Sequence, residues 1–324
     1  MFKVALIGCG NLGSRHLQAL KLTNKELDIT VCEPDEQAIK IAQERYNQVE
    51  GSSFRKTIRF ISDYRELSED IDLVIVATTS ASRFSIAEWV LLHVNIKYIL
   101  LEKVVFQSLD ELDQFSDLLR NRAVKVWVNC PRRMFEFYKK LKSQIYGKSD
   151  INMTIQGVEW GMACNAIHIL DLYRFLTGFT VCEYNNEKMF QGYYDSKREG
   201  YLEFYGKIEL TTDKGKLILD CDKGDVATDR IIIQMPEEWI EIDESTREAT
   251  IHSYEKEEVT ERLSVDIKYQ SFLTNIVVEQ IINNGECELS IYEDSALLHK
   301  ILLSCFLNHI NKYTNVEVKK CPIT

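Results

Sequence analysis

The sequence predicts an α/β protein with two domains, an N-terminal Rossmann domain and a C-terminal α+β domain built on an open, mainly antiparallel sheet. A short apolar strand runs directly into the glycine pattern 8–13 and then into a helix. Apolar runs alternate with amphipathic stretches up to residue 128, and shorter alternating runs replace them from residue 201 onward. We therefore expect one domain over residues 1–128 and a second over residues 129–324.

The first half has the pattern of a parallel sheet covered by helices on both faces. Its strand segments are apolar throughout, which is typical of strands buried on both sides, and helical periodicity follows most of them. The predicted strands are 3–7, 29–32, 58–61, 73–77, 98–101 and 124–128. Helices are predicted after Gly13 and over residues 35–46, 84–93 and 109–119.

The second half alternates apolar and polar residues, which indicates an antiparallel sheet with one wet face. The predicted strands are 201–211, 216–221, 230–235, 239–242 and 249–254, and helices are predicted over 265–284 and 292–313. A broad, half-apolar sheet face is usually buried against another surface, so we expect a homodimer or homotetramer. The crevice between the two halves is the expected active site.

The glycine pattern Gly8-Cys9-Gly10-Asn11-Leu12-Gly13 predicts a dinucleotide-binding loop. Gly8 permits the tight turn, Gly10 lets the backbone approach a pyrophosphate, and Gly13 lets the helix pack closely on the strand. The phosphates are then held at the positive end of that helix. Asn11 and Leu12 complete the loop, so we include them among the expected cofactor-binding residues.

An acidic residue at the end of the second strand favours NAD as the cofactor. Glu33 follows the glycine pattern at the spacing where a carboxylate accepts hydrogen bonds from the ribose hydroxyls. A 2′-phosphate would meet Glu33, Asp35 and Glu36, with no basic residue before Lys40. NADP is therefore the less expected cofactor, unless a basic side chain folds in from elsewhere.

Composition excludes several classes of function. Lys plus Arg number 39 against 50 Asp plus Glu, a net charge of −11 that argues against nucleic acid and anionic membranes as partners. The first strand begins close to Met1 and no apolar run approaches membrane-spanning length, so we expect a cytoplasmic protein. The nine cysteines include no C-x-x-C pair, which predicts reduced thiols and no metal site.

Several motifs, in order, resemble those of the Gfo/Idh/MocA oxidoreductases. The glycine pattern and acidic residue are followed by an apolar strand ending in Ala77-Thr78-Thr79, and then by Glu102-Lys103 at another strand end. Residues 129–133 are similar to the segment with which that family enters its second domain. Residues 161–171 are similar to its substrate-site helix, and residues 290–308 to its C-terminal helix.

The resemblance implies an NAD(P)-dependent oxidoreductase acting on a sugar, a sugar derivative or a nucleotide-linked sugar. Hydride would move between a secondary carbinol carbon and the nicotinamide. Lys103 and His168 would be the catalytic residues, and the cofactor would also contact Thr78, Thr79, Glu102 and Lys103. The expected substrate-binding residues are Arg132, Arg133, Asn165 and His168.

Elementary chemistry is compatible with these roles. Lys103 ends a parallel strand beside a cofactor that is positive when oxidised, and both this charge and desolvation disfavour an ammonium group. Proton exchange with a substrate hydroxyl is then possible near neutral pH. Asp171 lies three residues after His168 on the same helix face, where we expect it to orient the imidazole. Arg132 and Arg133 suit a carboxylate or phosphate clamp, but also solvated charges at a helix start.

Departures from the family pattern leave alternatives open. Val104 stands where the family usually has a proline after the lysine, and Cys164 where it often has an acidic residue before the histidine. Residues 79–83 also differ from the common motif. One alternative is a lyase or glycosidase that retains its NAD, and another is a non-catalytic NAD(P)-binding sensor or scaffold.

Overall fold

The computed structural model describes residues 1–256 and 258–324, which divide into two compact units. The first unit comprises residues 1–106, 110–129 and 268–295, and the second comprises residues 107–109, 130–267 and 296–324. This division differs from a single break after residue 128, because residues 268–295 return to the first unit.

The elements up to residue 128 alternate between strands and helices. They are β1 (Phe2–Ile7), α1 (Gly13–Leu22), β2 (Leu27–Cys32), α2 (Glu36–Asn47), β3 (Lys56–Ile61), β4 (Asp70–Val76), α3 (Ser80–His93), β5 (Asn95–Leu101), α4 (Leu109–Leu119) and β6 (Lys125–Val128). Each predicted strand and helix of this half is present, with ends that differ by a few residues.

The later elements are mostly strands. They are α5 (Glu136–Ile145), β7 (Asn152–Val158), α6 (Met162–Thr177), β8 (Cys182–Asn185), β9 (Tyr194–Asp195), β10 (Leu202–Glu203), β11 (Gly206–Thr212), β12 (Gly215–Asp222), β13 (Thr228–Gln234), β14 (Glu238–Asp243), β15 (Glu248–Ser253), β16 (Glu258–Ser264), α7 (Thr274–Asn284), β17 (Ser290–Ile291) and α8 (Tyr292–Asn311). Short 3-10 helices cover Tyr64–Glu66, Pro131–Met134 and Gln270–Phe272.

The first unit contains a seven-stranded sheet in the order β17-β6-β5-β4-β1-β2-β3. The strands from β6 to β3 are parallel, and β17 adds to β6 in the antiparallel direction. The interiors of the central strands are almost completely buried, as their continuous apolar sequence predicts. The strand order reverses between β1 and β4, and the carboxyl ends of strands at such a point are where α/β sheets bind ligands. The predicted Rossmann domain is confirmed.

The second unit contains an eight-stranded sheet in the order β16-β15-β14-β13-β7-β12-β11-β8. All neighbouring strands are antiparallel except β7 and β12, so the predicted mainly antiparallel sheet is confirmed. Buried and half-exposed residues alternate along β12, β13 and β14, which gives one core face and one wet face.

Several parts of the second half differ from the sequence predictions. The central strand β7 and the strands β8, β9 and β16 were not predicted, and the predicted strand 201–211 is divided into β10, which pairs with β9, and β11 of the eight-stranded sheet. The helix expected to start at residue 265 was also placed too early, because β16 pairs with β15 up to Ser264 and α7 begins only at Thr274. Thr and charged residues at alternate positions of β16 suit an edge strand better than a helix. Within the described residues, no helix is both long and apolar enough to cross a membrane.

Candidate cofactor and substrate sites

A cavity of about 480 Å³ lies in the first unit at the carboxyl ends of β1, β2 and β4. Its lining contains five of the predicted cofactor residues, namely Gly8, Gly10, Glu33, Thr78 and Thr79. It also contains a segment that the sequence reading missed, Ser62 to Arg65. The signal was available, because this segment directly follows β3, the parallel neighbour of β2.

The glycine loop has the geometry that a pyrophosphate requires. Gly8 adopts φ +89°, and a Cβ on Gly13 would lie 2.0 Å from the Gly8 carbonyl oxygen. A Cβ on Gly10, in contrast, would have nothing within 4 Å, so the space above Gly10 is open. Helix α1 begins beyond Leu12 with no side-chain cap and no acidic residue in its first turn. Its first N–H groups are therefore suited to an anion, and the loop fits a dinucleotide.

The remaining loop residues are held by a neighbouring helix. Arg45 of α2 donates to the Asn11 carbonyl oxygen at 3.2 Å and to Ser14 Oγ at 2.6 Å. Asn11 is therefore held between the open Gly10 and Leu12, the residue before α1. The cofactor contacts expected of Asn11 and Leu12 stay predictions.

The Glu33 carboxylate is fixed beside the glycine loop. Its Oε2 accepts the Cys9 N–H at 2.8 Å, and its Oε1 accepts the Asp35 N–H at 3.2 Å. Burial raises the pKa of the Cys9 thiol to about 12, and the Glu33 charge adds to this rise. The loop therefore presents a neutral thiol and a carboxylate at the place where the ribose hydroxyls of a dinucleotide are expected.

One basic side chain does fold into this region from elsewhere. Arg65 lines the same cavity, lies over the Tyr64 ring at 5.0 Å from its centroid, and pairs with Asp63 at 3.3 Å. The pair is exposed to solvent. Because the Asp63 carboxylate offsets the Arg65 charge, the adenosine end of the cavity still contains more acidic than basic groups.

Thr78, which lines the cavity, has a buried side-chain oxygen without a hydrogen-bond partner among the described residues. This atom, Oγ1, is inaccessible to solvent. A buried hydroxyl without a partner is costly, so such an atom beside a cavity indicates a ligand that would complete it. Thr79, next in the lining, precedes the first residue of α3.

The Glu102 carboxylate is buried in a polar network of the first unit instead of lining the cavity. Its Oε1 lies 2.8 Å from His16 Nε2 and also accepts from Asn129 Nδ2. His16 Nδ1 lies 2.8 Å from Thr274 Oγ1. Burial acts to raise the pKa of Glu102, but the bonds from His16 and Asn129 and the Arg83 charge outweigh it, so the pKa is lowered. The predicted cofactor contact of Glu102 stays a prediction.

Lys103 follows at the end of β5. Its own N–H donates to Glu102 Oε2 at 3.2 Å, and its side chain is half-buried. The network that holds Glu102 therefore also fixes the backbone of Lys103. This is the position at a strand's carboxyl end that the sequence analysis predicted.

Arg83 is a buried residue beside Lys103 that the sequence analysis did not single out. It is only 2% exposed, and its guanidinium donates to the carbonyl oxygens of Thr78, Val104 and Val105. One side chain thus ties the end of β4, which lines the cavity, to the two residues after Lys103. Because Arg83 lies in a segment that departs from the family pattern, only the three-dimensional structure shows this role.

In the second unit, α6 presents a polar face to solvent. Over its first turns Met162, Ala163, Ala166 and Ile167 are buried, whereas Cys164, Asn165 and His168 are half-exposed. These three residues are spaced so that they share one side of the helix. The structure therefore places Asn165 and His168 on one side of α6, and their contact with a substrate stays a prediction. The Asn165 amide is fixed because its Nδ2 donates to the Trp160 carbonyl oxygen at 2.6 Å.

The predicted arginines are paired with carboxylates of the same unit. Arg133 donates to both oxygens of the buried Asp171, at 3.0 and 2.8 Å. Arg132 donates to both oxygens of Glu244, at 2.7 to 3.1 Å, and this pairing raises the Arg132 pKa although burial opposes it. Asp171, expected to orient His168, is thus engaged by Arg133. Substrate binding by the two arginines stays a prediction that this geometry does not favour.

The parallel strand order, the open glycine loop and the cavity above it define a dinucleotide-binding Rossmann domain. Residues 2–130 match the Gfo/Idh/MocA family model, described as an oxidoreductase family with an NAD-binding Rossmann fold. These residues therefore belong to that family, and the resemblance is confirmed over this segment. No curated protein matches the sequence closely.

Solved structures resemble the whole chain at low sequence identity. UDP-N-acetylglucosamine 3-dehydrogenase GnnA from Acidithiobacillus ferrooxidans has a TM-score of 0.68 at 15% identity, covering 96% of this chain and 97% of its own. An Agrobacterium radiobacter oxidoreductase in complex with NAD+, L-tartaric acid and magnesium reaches 0.70 at 15% identity, covering 98% of each chain. A super-repressor mutant of Gal80p from Saccharomyces cerevisiae reaches 0.70 at 13% identity, covering 96% of each chain. At such identities the likeness shows the fold alone.

Two glycine substitutions separate the structural and binding roles of the loop. We expect Gly10→Ala to keep the thermal stability of the native chain but to weaken NADH binding at least about tenfold, because its Cβ enters the space of the pyrophosphate. Gly13→Ala should lose both stability and NADH binding, since its Cβ would meet the Gly8 backbone. We expect its free energy of unfolding to fall by about 2 kcal/mol or more. Thermal unfolding and nicotinamide fluorescence measure the two effects. Native-like NADH binding by Gly10→Ala would contradict this geometry.

The Glu102 network predicts a pH dependence of stability. A carboxyl with a lowered pKa in the folded state stabilises the protein above its ordinary pKa, and this contribution is lost as the pH falls through the folded value. We expect Glu102→Gln to cost about 1–3 kcal/mol at neutral pH. Below about pH 5 the difference between the variant and the native chain should shrink. Urea unfolding across pH measures this, and a difference that stays constant with pH would refute it.

Arg83→Lys tests the positioning of Lys103. The ammonium keeps the charge but does not reach three carbonyl groups, so we expect a loss of about 2 kcal/mol in stability. We also expect a severalfold change in the rate at which acetic anhydride labels Lys103. Arg122→Lys is the control, because Arg122 binds the Leu91 carbonyl oxygen, outside the cavity lining. If Arg83→Lys lowers stability but leaves Lys103 labelling unchanged, its role is structural only.

Proposed function

We propose that this chain is an NAD-dependent oxidoreductase that interconverts a secondary alcohol and a ketone on a sugar, a sugar derivative or a nucleotide-linked sugar. The observation that carries the proposal is the glycine loop, in which Gly13 is pinned against Gly8 while the space above Gly10 stays open. A dinucleotide needs both features, because its pyrophosphate occupies the space above Gly10 while the close contact of Gly13 holds the loop in shape. Membership of residues 2–130 in an NAD-binding oxidoreductase family supports the same function.

The charges around the cavity support NAD over NADP. Glu33, Asp63 and Arg65 line the adenosine end, and Asp63 pairs with Arg65. A 2′-phosphate would approach the Glu33 carboxylate and would compete with Asp63 for the guanidinium. The ribose hydroxyls of NAD instead donate to Glu33 without any such conflict.

The polar face of α6 supports a hydroxylated substrate. The Asn165 amide and the His168 imidazole can each donate and accept hydrogen bonds, which is what recognition of sugar hydroxyls needs. The fold shared with the Acidithiobacillus UDP-N-acetylglucosamine 3-dehydrogenase supports this proposed substrate class.

Lys103 is the group we propose for proton transfer. When bound, the nicotinamide supplies the hydride acceptor or donor. Lys103 Nζ takes the proton from the substrate hydroxyl during oxidation and returns it during reduction, and His168 is the second candidate for this step. The Glu102 network and Arg83 fix the Lys103 backbone, so that its side chain starts from a defined position.

A second candidate is an NAD-binding protein without turnover. It is favoured by Val104 and Cys164, which replace a proline and an acidic residue of the family pattern, and by the fold shared with a Gal80p repressor. A lyase or glycosidase that retains its NAD is a third reading. The state of the cofactor distinguishes these readings.

Self-association is a further part of the proposal. The wet face of the eight-stranded sheet carries the stacked Trp239 and His252 rings and the ion pair of Lys207 with Asp220. A broad face of mixed polarity suits a second copy of the chain, as a homodimer or homotetramer. A cytoplasmic location and the absence of nucleic-acid and membrane partners stay predictions from composition.

Native mass spectrometry of protein purified without added cofactor, followed by titration with NADH and NADPH, tests the proposal. We expect exchangeable NADH, bound at least about tenfold more tightly than NADPH. Lys103→Met should bind NADH normally but abolish NAD+ reduction with UDP-N-acetylglucosamine, N-acetylglucosamine, glucose and inositol as candidate substrates.

Other results point elsewhere. Tightly copurified NAD would favour the retained-cofactor reading, and NADH binding without turnover of any sugar would favour the sensor reading. Failure to bind either cofactor would overturn the assignment of the cavity.

A further inference from the structure

The segment that follows β3 forms one end of the cofactor cavity. Asp63, Tyr64 and Arg65 line this cavity together with Glu33. They follow β3, which lies on one side of β2 in the sheet, whereas the glycine loop follows β1 on the other side. A dinucleotide with its pyrophosphate at the glycine loop and its ribose at Glu33 therefore extends its adenosine toward this segment.

The Asp63 carboxylate engages two groups of Arg65. Its Oδ1 accepts the Arg65 backbone N–H at 2.9 Å, and its Oδ2 accepts from Arg65 Nη1 at 3.3 Å. The guanidinium also lies over the Tyr64 ring. Among the described residues that line the cavity, Arg65 has the one cationic side chain. Its pairing with Asp63 therefore decides whether an anionic ligand group finds a cationic partner there.

The negative charge at this end of the cavity extends beyond Glu33. Burial raises the pKa of the Cys32 thiol, which also lines the cavity, to about 12, and the charges of Asp63, Glu33 and Glu66 add to this rise in that order. The Arg65 backbone N–H holds the pKa of Asp63 below its ordinary value, so this carboxylate is ionised at neutral pH. Two carboxylates, those of Asp63 and Glu33, therefore line the adenosine end.

We propose that Asp63 is a second determinant of cofactor choice, which masks the Arg65 guanidinium as a binding group for a 2′-phosphate. Asp63 repels such a phosphate and neutralises Arg65 at the same time, whereas the uncharged 2′-hydroxyl of NAD meets no such opposition. The chain thus holds a latent phosphate site that one carboxylate closes. This inference rests on the proposed function, because it assigns the selection of NAD to a residue of the same cavity.

The ion pair acts through charge and not through the stability of the fold. The Asp63 and Arg65 side chains are 42% and 62% exposed. An exposed pair of this kind contributes little to the free energy of unfolding, and salt screens its charges. Removing the Asp63 charge should therefore leave the melting temperature almost unchanged, and its effect on binding should weaken as the ionic strength rises.

Asp63→Asn removes this charge while keeping the local structure. The amide oxygen still accepts the Arg65 N–H and caps the short helix Tyr64–Glu66, because Asn and Asp are equally good caps. The NH2 group in place of Oδ2 cannot accept a hydrogen bond from the guanidinium. Adding Arg65→Met to Asp63→Asn tests whether the released guanidinium is the group that binds phosphate.

Asp213→Asn is the matched control. The Asp213 carboxylate also accepts backbone N–H groups, those of Thr180 at 2.8 Å and Val181 at 3.1 Å. It lies in the second unit and outside the cavity lining. This variant changes the net charge of the chain by the same amount as Asp63→Asn, so it measures any general effect of charge.

The first measurement titrates the full chain and each variant with NADH and NADPH, followed by nicotinamide fluorescence. Asp63→Asn should raise the NADPH affinity about three- to tenfold and change the NADH affinity less than about twofold, because the 2′-hydroxyl of NADH is uncharged. NADH should remain the tighter ligand, since Glu33 still opposes a 2′-phosphate. The double variant should return to the native NADPH affinity, and Asp213→Asn should match the native chain.

The second measurement uses two probes that lack the nicotinamide, adenosine 5′-monophosphate and adenosine 2′,5′-bisphosphate, with binding followed by calorimetry. Asp63→Asn should strengthen binding of the bisphosphate by about the same three- to tenfold factor and leave the monophosphate unchanged. The gain should shrink at high ionic strength, because salt screens exposed charges.

The outcomes separate this inference from the proposed function. Normal NADH binding with equal NADPH affinity in Asp63→Asn and the native chain, at equal melting temperatures, would overturn the inference and leave the cofactor site intact. A gain that survives Arg65→Met would show that Asp63 acts by repulsion alone and would overturn the role of Arg65. A native chain that binds the adenosine probes but not NADH would refute the proposed function, and the calorimetric comparison would still decide the role of Asp63. A native chain that binds none of them would refute both.

Discussion

The hydrogen bonds of the buried Glu102 carboxylate are the interactions on which the first unit depends. An ionised carboxylate that is 2% exposed is tolerated only with strong partners, and the chain supplies them from widely separated segments. His16 comes from the helix after the glycine loop, Asn129 follows β6, and Thr274 supports His16 from the far side. The glycine loop, the Lys103 segment and the returning residues 268–295 are therefore held by one polar network. This explains why the returning segment belongs to the first unit although it lies far along the sequence.

Much of the first unit could be predicted because its signals are local. A strand buried on both faces is apolar over consecutive residues, and a dinucleotide turn needs glycines at fixed positions, so both leave a pattern within a few residues. The second unit was harder for the same reason. Strand β7 combines Asn152, Thr154 and Gln156 with buried Met153 and Ile155, and its neighbours in the sheet come from more than fifty residues away.

The parts of the site that sequence reasoning missed are held by long-range contacts. Arg83 reads as one more charge at a helix start, and only folding brings the carbonyl groups of residues 104 and 105 to its guanidinium. Glu203 lies in a two-residue strand without a pattern, yet it caps a helix that begins forty residues earlier. The hydrogen-bond partners of such residues lie far away in the sequence, so no local sequence pattern identifies them. The sequence could identify Lys103 and His168 as candidates, but not the groups that position or accompany them.

The two arginine pairs bear on the predicted substrate contacts of the second unit. Arg132 and Arg133 were expected to clamp a charged substrate group, but Glu244 and Asp171 occupy their guanidinium groups in partly buried, two-oxygen contacts. Opening such a pair for a ligand leaves a carboxylate without its partner in a poorly solvated place, which costs several kcal/mol, on the order of 3–5. A substrate phosphate would have to offset that loss. The half-exposed Asn165 and His168 of α6 lie outside these two ion pairs. This cost argues against recognition of a charged group at the arginines, and recognition of hydroxyl groups at α6 stays part of the proposal.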